Sequence, residues 1–83
     1  MLLKVFSTYD HQARIYSQPF FSPQTGSALR AFTQECNNPD SQFSKFPSDY
    51  ELFELGTWDD NTSELVQIVP SISLGKASAF IVK

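Results

Sequence analysis

The stretch Leu2-Leu3-Lys4-Val5-Phe6-Ser7-Thr8-Tyr9, followed after a polar break by Arg14-Ile15-Tyr16-Ser17-Gln18-Pro19-Phe20-Phe21, decides the fold. Valine, isoleucine, threonine, phenylalanine and tyrosine favour extended backbone. Asp10-His11-Gln12-Ala13 between the two runs has the length of a hairpin connection. The runs therefore predict two antiparallel strands, Leu2–Tyr9 and Arg14–Phe21. The second stops near Pro19, because proline belongs at the edge or end of a strand. Side chains two apart share a sheet face. One parity holds Leu3 and Val5, with Ile15 as a match, an aliphatic set suited to a core. The other holds Lys4, Phe6 and Thr8, joined by Arg14, Tyr16 and Gln18. The expectation is that the aliphatic parity faces inward and the mixed parity faces water.

Working outward, residues 22–38 carry a helix signal. Leu29, Phe32 and Cys36 stand at i, i+3 and i+7 with Ala28 beside them, which makes one apolar stripe. Ser22 before Pro23, or Thr25, is the candidate N-cap. Asn37-Asn38-Pro39 is the stop, since proline restricts the residue before it and cannot extend a helix. Asp40–Asp49 reads as a loop with Phe43 and Phe46 as apolar plugs. Tyr50–Trp58 reads as a third strand, apolar on both parities and therefore covered on both faces. Asp59–Ser63 is a turn, and Leu65–Val69 a fourth strand ending at Pro70. Leu74, Ala77, Ser78 and Ile81 suggest a short helix in the tail, against the evidence of Gly75 and the pair Ile81-Val82. The reading is a single α+β domain over residues 1–83. It has a small antiparallel sheet of about four strands in the order β-β-α-β-β, one central helix and a short C-terminal helix.

A chain of 83 residues buries only roughly 60–65% of the surface that its unfolded form exposes. Chains of this size commonly need a disulfide, a metal or a second subunit. Cys36 is the only cysteine, so no internal bridge can form, which suits a reducing compartment. His11 and Cys36 are the only good soft metal ligands and have no ligand spacing, so no metal or other cofactor is expected. Oligomerisation remains, with a dimer favoured, along with packing by eight Phe, three Tyr and one Trp. The opening Met1–Ser7 does not read as a secretory signal, and no apolar run approaches a membrane span. The expected location is the cytosol in which the chain is made.

The net charge of −3 is unevenly spread. Residues 1–48 carry Lys4, Arg14, Arg30 and Lys45 against Asp10, Glu35 and Asp40. Residues 49–83 carry only Lys76 and Lys83 against Asp49, Glu51, Glu54, Asp59, Asp60 and Glu64. A strong duplex binder that ignores sequence is basic, because its affinity comes from releasing counterions from phosphate. That class is excluded. Contact with a single strand can instead rest on stacking. On the parity expected to face water, Phe6 and Tyr16 would stack on bases. Lys4, Arg14 and Arg30 would meet phosphates, with Lys45 extending the patch. The alternative is that Phe6 and Tyr16 pack beneath the C-terminal segment or against a second subunit. No catalytic signature is visible. His11 has neither a nucleophile nor an orienting partner in sequence, and Asp59–Glu64 lacks the glycine and the closing glutamate of a calcium loop. The chain is expected not to be an enzyme.

Several motifs occur in a distinctive order. Lys4-Val5-Phe6-Ser7-Thr8-Tyr9-Asp10 opens the chain. Pro19-Phe20-Phe21 precedes Ala28-Leu29-Arg30-Ala31-Phe32. Then follow Phe46-Pro47-Ser48-Asp49-Tyr50-Glu51-Leu52-Phe53, Leu55-Gly56-Thr57-Trp58-Asp59-Asp60 and Ser73-Leu74-Gly75. In this succession the chain resembles the small nonstructural, DNA-associated proteins of gokushovirus-type phages in the microvirus family. The resemblance spans almost the whole chain. It implies a bacteriophage protein of the host bacterial cytoplasm that binds single-stranded DNA during genome synthesis or packaging. The rival expectation is a dimeric adaptor that docks on the replication initiator or a capsid precursor without touching DNA.

Overall fold

The computed structural model describes residues 1–82. Its elements are β1 (Leu2–Asp10), β2 (Ile15–Tyr16), β3 (Phe20–Ser22), α1 (Thr25–Cys36), α2 (Gln42–Lys45), β4 (Tyr50–Asp59), β5 (Leu65–Lys76) and a 3-10 turn (Ala77–Phe80). The sheet is antiparallel throughout, in the order β2-β1-β4-β5, with β3 also paired to β1. β4 runs beside β1 from Leu2 opposite Asp59 to Asp10 opposite Tyr50. β2 and β3 therefore share the outer edge of β1. This is the expected α+β architecture, with helical cover on one face.

The run Arg14–Phe21 is broken into two short strands, and Ser17 shows why. Its N–H donates to the Thr8 carbonyl at 2.8 Å. Its hydroxyl accepts from the Thr8 N–H at 3.1 Å and from the Thr8 hydroxyl at 3.0 Å. A side chain has taken a place in the ladder that a backbone carbonyl would hold, and Pro19 has no N–H to resume the pairing.

The core lies between the sheet and α1. Phe6, Ala28, Phe32, Cys36, Leu52 and Ala77 are buried there together. Phe6 has no exposed surface and stacks on Phe20 with ring centres 5.6 Å apart. Phe43 closes one end against Phe32 and Tyr50. Phe46, expected as a second plug, is instead exposed. The sheet parity is the reverse of that expected. Lys4, Phe6 and Thr8 turn toward α1, whereas Leu3, Val5, Ser7 and Tyr9 lie on the opposite face. Ile15 is 62% exposed and contributes nothing to the core. The physical reason is that β1 is apolar on both parities. Two large rings, Phe6 and Phe20, bury more area under a helix than an aliphatic set of three.

Of the predicted stripe of Leu29, Phe32 and Cys36, Phe32 and Cys36 are buried on α1 with Ala28 beside them, and Leu29 is half-buried at its margin. The N-cap of α1 is Gln24, which makes no side-chain capping bond, so neither Ser22 nor Thr25 plays that part. There is no acidic residue in its first turn and no basic one in its last. Packing therefore holds it in place of terminal signals. Asn37 ends it as expected. The Asn37 amide nitrogen donates to the carbonyls of Thr33 at 2.8 Å and Phe80 at 3.0 Å, and its Oδ1 accepts from the Val82 N–H at 2.8 Å. Helix end and tail are thereby clipped together. The tail is strand through Lys76 and then a 3-10 turn, so the fourth strand passes through Pro70 and does not stop there. Proline is tolerated because β5 is an edge strand. Gly56 permits close approach of β4 to β5. A Cβ there would stand 2.0 Å from the Val66 carbonyl oxygen.

Two substitutions test this packing. Phe6→Ala is expected to lower unfolding free energy by about 3–5 kcal/mol, because it empties the centre of the core. Gly56→Ala is expected to cost about 2 kcal/mol through displacement of β5. Urea denaturation of both variants measures these effects. The outward-facing control Phe21→Ala is expected to lose under about 1 kcal/mol.

Candidate nucleic-acid interface

With both helices on one side, the other side of the sheet carries no helical cover. Residues paired across neighbouring strands share a face. On this face Tyr9 stands opposite Tyr16, Ser7 opposite Phe53, Val5 opposite Phe21 and Leu3 opposite Trp58. The rings form two groups. Tyr9, Tyr16 and Phe53 meet pairwise with centroids 4.6, 6.5 and 5.8 Å apart. Phe21 and Trp58 meet at 5.4 Å. Between the groups lies a shallow apolar depression of about 210 Å³ lined by Val5, Pro19, Leu55 and Leu65 among others. Leu3 to Tyr9 spans about 20 Å of strand, so the two groups of rings lie at the two ends of one sheet face. Tyr16 and Phe21 are each 48% exposed.

One end of the platform is held by an interstrand tie. His11 Nε2 lies 2.7 Å from Glu51 Oε1, and the Ser73 hydroxyl donates to Glu51 Oε2. The turn after β1, the strand β4 and the strand β5 thus meet at one carboxylate. The Tyr9 ring sits edge-on to His11 at 4.8 Å. The Ser73 hydrogen bond, with help from His11 and the Lys76 charge, holds the Glu51 carboxyl below its ordinary range, against the opposing effect of burial. The carboxylate lies between serine and histidine. This is a structural tie and not the serine–histidine pair of a nucleophilic site. Among the described residues, no three His, Cys, Asp or Glu side chains converge as metal ligands do.

The structure disperses the six residues that the sequence places in one patch. Phe6 is in the core and cannot stack on a base. Lys4 faces α1, where its Nζ donates to Thr25 Oγ1 at 3.0 Å and lies 3.8 Å from Glu54 Oε2. Thr25 Oγ1 in turn donates to Glu54 Oε1 at 3.0 Å. Lys4 is thus engaged with a carboxylate. Arg30 lies on α1 and Lys45 on α2, in the helical layer and away from the rings. Arg14 closes the β1–β2 turn with φ of 60°, its N–H donating to the Asp10 carbonyl at 2.7 Å. It adjoins the Tyr9–Tyr16 end of the platform. Arg14 and Tyr16 are left two residues apart at the start of β2. Sequence reasoning missed Tyr9, Phe53, Phe21, Trp58 and Lys76. Tyr9 shares its parity with Leu3 and Val5 and was the available signal for an aromatic face on that side.

The polar surroundings differ at the two ends. Lys76 on β5 pairs in register with Glu51, the carboxylate that His11 meets, while Arg14 lies in the turn between β1 and β2 at the opposite edge of the sheet. At the other end, Asp59 and Asp60 follow Trp58. Among the described residues, no carboxylate lies within 4.0 Å of the Arg14 or Lys76 charge.

The family model for phage ORF5 proteins matches residues 3–80. The chain belongs to the phage ORF5 protein family. That match takes in both helices and the whole sheet apart from Leu2. No curated protein and no solved structure matches the chain. No helix among the described residues of this phage ORF5 protein is long and apolar enough to cross a membrane.

The Glu51 tie has a pH signature. A depressed carboxyl pKa contributes stability that is complete above the ordinary value, here 4.5, and is lost as pH falls through the folded-state value. Glu51→Gln is expected to cost about 1 kcal/mol near neutrality. It is also expected to flatten the acid limb of the stability curve below the ordinary carboxylate range. Urea midpoints measured for both proteins across that range check the sign.

Proposed function

We propose that this phage ORF5 protein holds single-stranded DNA on its open sheet face during viral genome synthesis or packaging in the host cytoplasm. It acts by binding, without a catalytic step. The observation that carries the reading is a sheet face without helical cover that bears five aromatic rings in two groups, Tyr9, Tyr16 and Phe53 at one end and Phe21 and Trp58 at the other. Such a platform suits bases that are free of a complementary strand, because every base offers a π face to stack. Duplex DNA keeps those faces inside its own stack. The resemblance to gokushovirus-type DNA-associated proteins supports the same reading.

The charge distribution narrows the binding mode. Arg14 and Lys76 lie at the Tyr9–Tyr16–Phe53 end and would meet phosphates there. The acidic Trp58 end repels them. Stacking therefore carries most of the affinity, and few counterions are released. The surface differs from that expected from sequence. Tyr16 and Arg14 keep their roles, Tyr9 and Phe53 take the place of Phe6, and Lys76 takes the place of Lys4.

Titration of a fluorescent oligothymidylate at two salt concentrations tests this. Expected are preference for the single strand over duplex and a shallow salt slope. Tyr16→Ala is expected to weaken binding roughly 5- to 150-fold, the loss of one stacked base. Arg30→Ala and Lys45→Ala should leave affinity within about twofold. Absence of binding, or binding that ignores Tyr16→Ala, overturns the reading. It would leave the adaptor role, in which the same rings meet a phage replication or capsid protein.

A further inference from the structure

Between the two groups of rings, the open face dips where β4 carries Gly56. Val5, Gly56 and Gln67 stand in one row across β1, β4 and β5, so Gln67 faces the same side as the rings. The depression there holds about 210 Å³, and no charged residue lines it. It is too small for a drug-sized ligand, which needs about 300 Å³ or more, and it suits a single flat ring system. Its walls are aliphatic, but two amide groups interrupt them. Val66 pairs with Thr57, opposite Lys4, which turns its side chain toward the helical layer. The Val66 carbonyl oxygen stands where a Gly56 side chain would be. A carbonyl oxygen has two lone pairs, so a bond within the ladder leaves one for a ligand. Gln67 is exposed, and its side-chain amide brings two donors and an acceptor.

We infer that this depression is a base-reading subsite that takes one adenine of a single strand. The inference rests on the binding role proposed above and adds to it a preference among bases. A strand laid from one ring group to the other passes over Gly56. There one base leaves the stack and lies between the aliphatic walls. The walls accept any base, and the two amides choose. The Val66 carbonyl is fixed and needs a donor. Adenine brings an exocyclic amino group with two N–H bonds, one for that carbonyl and one for the Gln67 Oε1. Beside the amino group, a ring nitrogen accepts from Gln67 Nε2. This paired contact is the one by which glutamine reads adenine. Thymine and guanine place a carbonyl oxygen where adenine has the amino group, and that oxygen opposes the Val66 oxygen. Cytosine has the amino group on a smaller ring, which covers less of the aliphatic wall. Gly56 keeps the floor open, because a side chain there would fill it.

Short oligothymidylates with one central adenine, or one central purine that lacks the amino group, test it against plain oligothymidylate. The central adenine is expected to tighten binding by about fivefold or more, the lower end of a bidentate base contact. The purine is expected to lose that gain. Gln67→Leu is expected to abolish the adenine gain and to leave affinity for plain oligothymidylate within about twofold. Tyr16→Ala is expected to weaken all three oligonucleotides alike and to keep the gain. Urea midpoints equal to wild type confirm that the Gln67 variant folds. Equal affinity for adenine, purine and thymine overturns the inference and leaves the stacking role standing. So does a gain that survives Gln67→Leu, or a Gln67→Leu defect of the same size on every oligonucleotide. If none of the oligonucleotides binds, the inference falls together with the role it rests on.

Discussion

Burial of Phe6 beneath α1 sets the sense of every other side chain in the sheet. A strand has two faces and a period of two, so seating one large ring inward commits its neighbours. With Phe6 against Phe20 and near Leu52, Val5 and Tyr9 must point the other way. The register then carries that choice to Phe21, Phe53, Tyr16 and Trp58. The open aromatic platform is thus the reverse side of the core. Both exist because β1 is rich in large apolar residues on both parities, while the small helical layer can cover only one.

The charge chemistry follows from the same orientation. Lys4 shares its parity with Phe6, so it turns toward the helix with its ammonium group near the N-terminal end of α1. Glu54, on β4, turns to the same side. An ion pair in this half-covered position needs further hydrogen bonds to offset desolvation. Thr25 supplies them by receiving from Lys4 and giving to Glu54, and so joins two strands to the first residue of the helix. Among the described residues, every buried side-chain nitrogen and oxygen has a partner. One cation of a chain with few is thereby tied to a carboxylate of the fold, although its side chain keeps 40% of its exposure.

The fold was legible in the sequence at the level of element type and order. The stripe of Leu29, Phe32 and Cys36 with Ala28 beside it located α1, Asn37 located its end, and Asp59–Ser63 located the β4–β5 turn. What could not be read was set by contacts distant in sequence. The face of β1 depends on Phe20 and Leu52. The split of the second strand depends on the Ser17 hydroxyl reaching Thr8, and the extension of β5 past Pro70 depends on Ser73 and Lys76 finding Phe53 and Glu51. The site suffered most from this. Alternation grouped Arg14, Tyr16, Phe6 and Lys4 on one face, but Arg14 lies in the turn before β2 with a positive φ, and Phe6 and Lys4 turn inward, because alternation could not tell inside from outside. The true neighbours, Tyr9 and Phe53, lie on strands joined only by tertiary pairing.

The Asn37 clip also gives the molecule a native chemical reporter. Cys36, next in the chain, is wholly buried, and burial with the nearby Glu35 pushes its thiol up to about 11. Alkylating reagents attack the thiolate, so a closed corner resists them on both counts. Ile81 packs against the same core, and Val82 is held by the Asn37 side chain. Lifting that segment exposes the lone sulfur. The rate at which a mild thiol reagent is consumed therefore counts openings of this one corner, without any label being introduced.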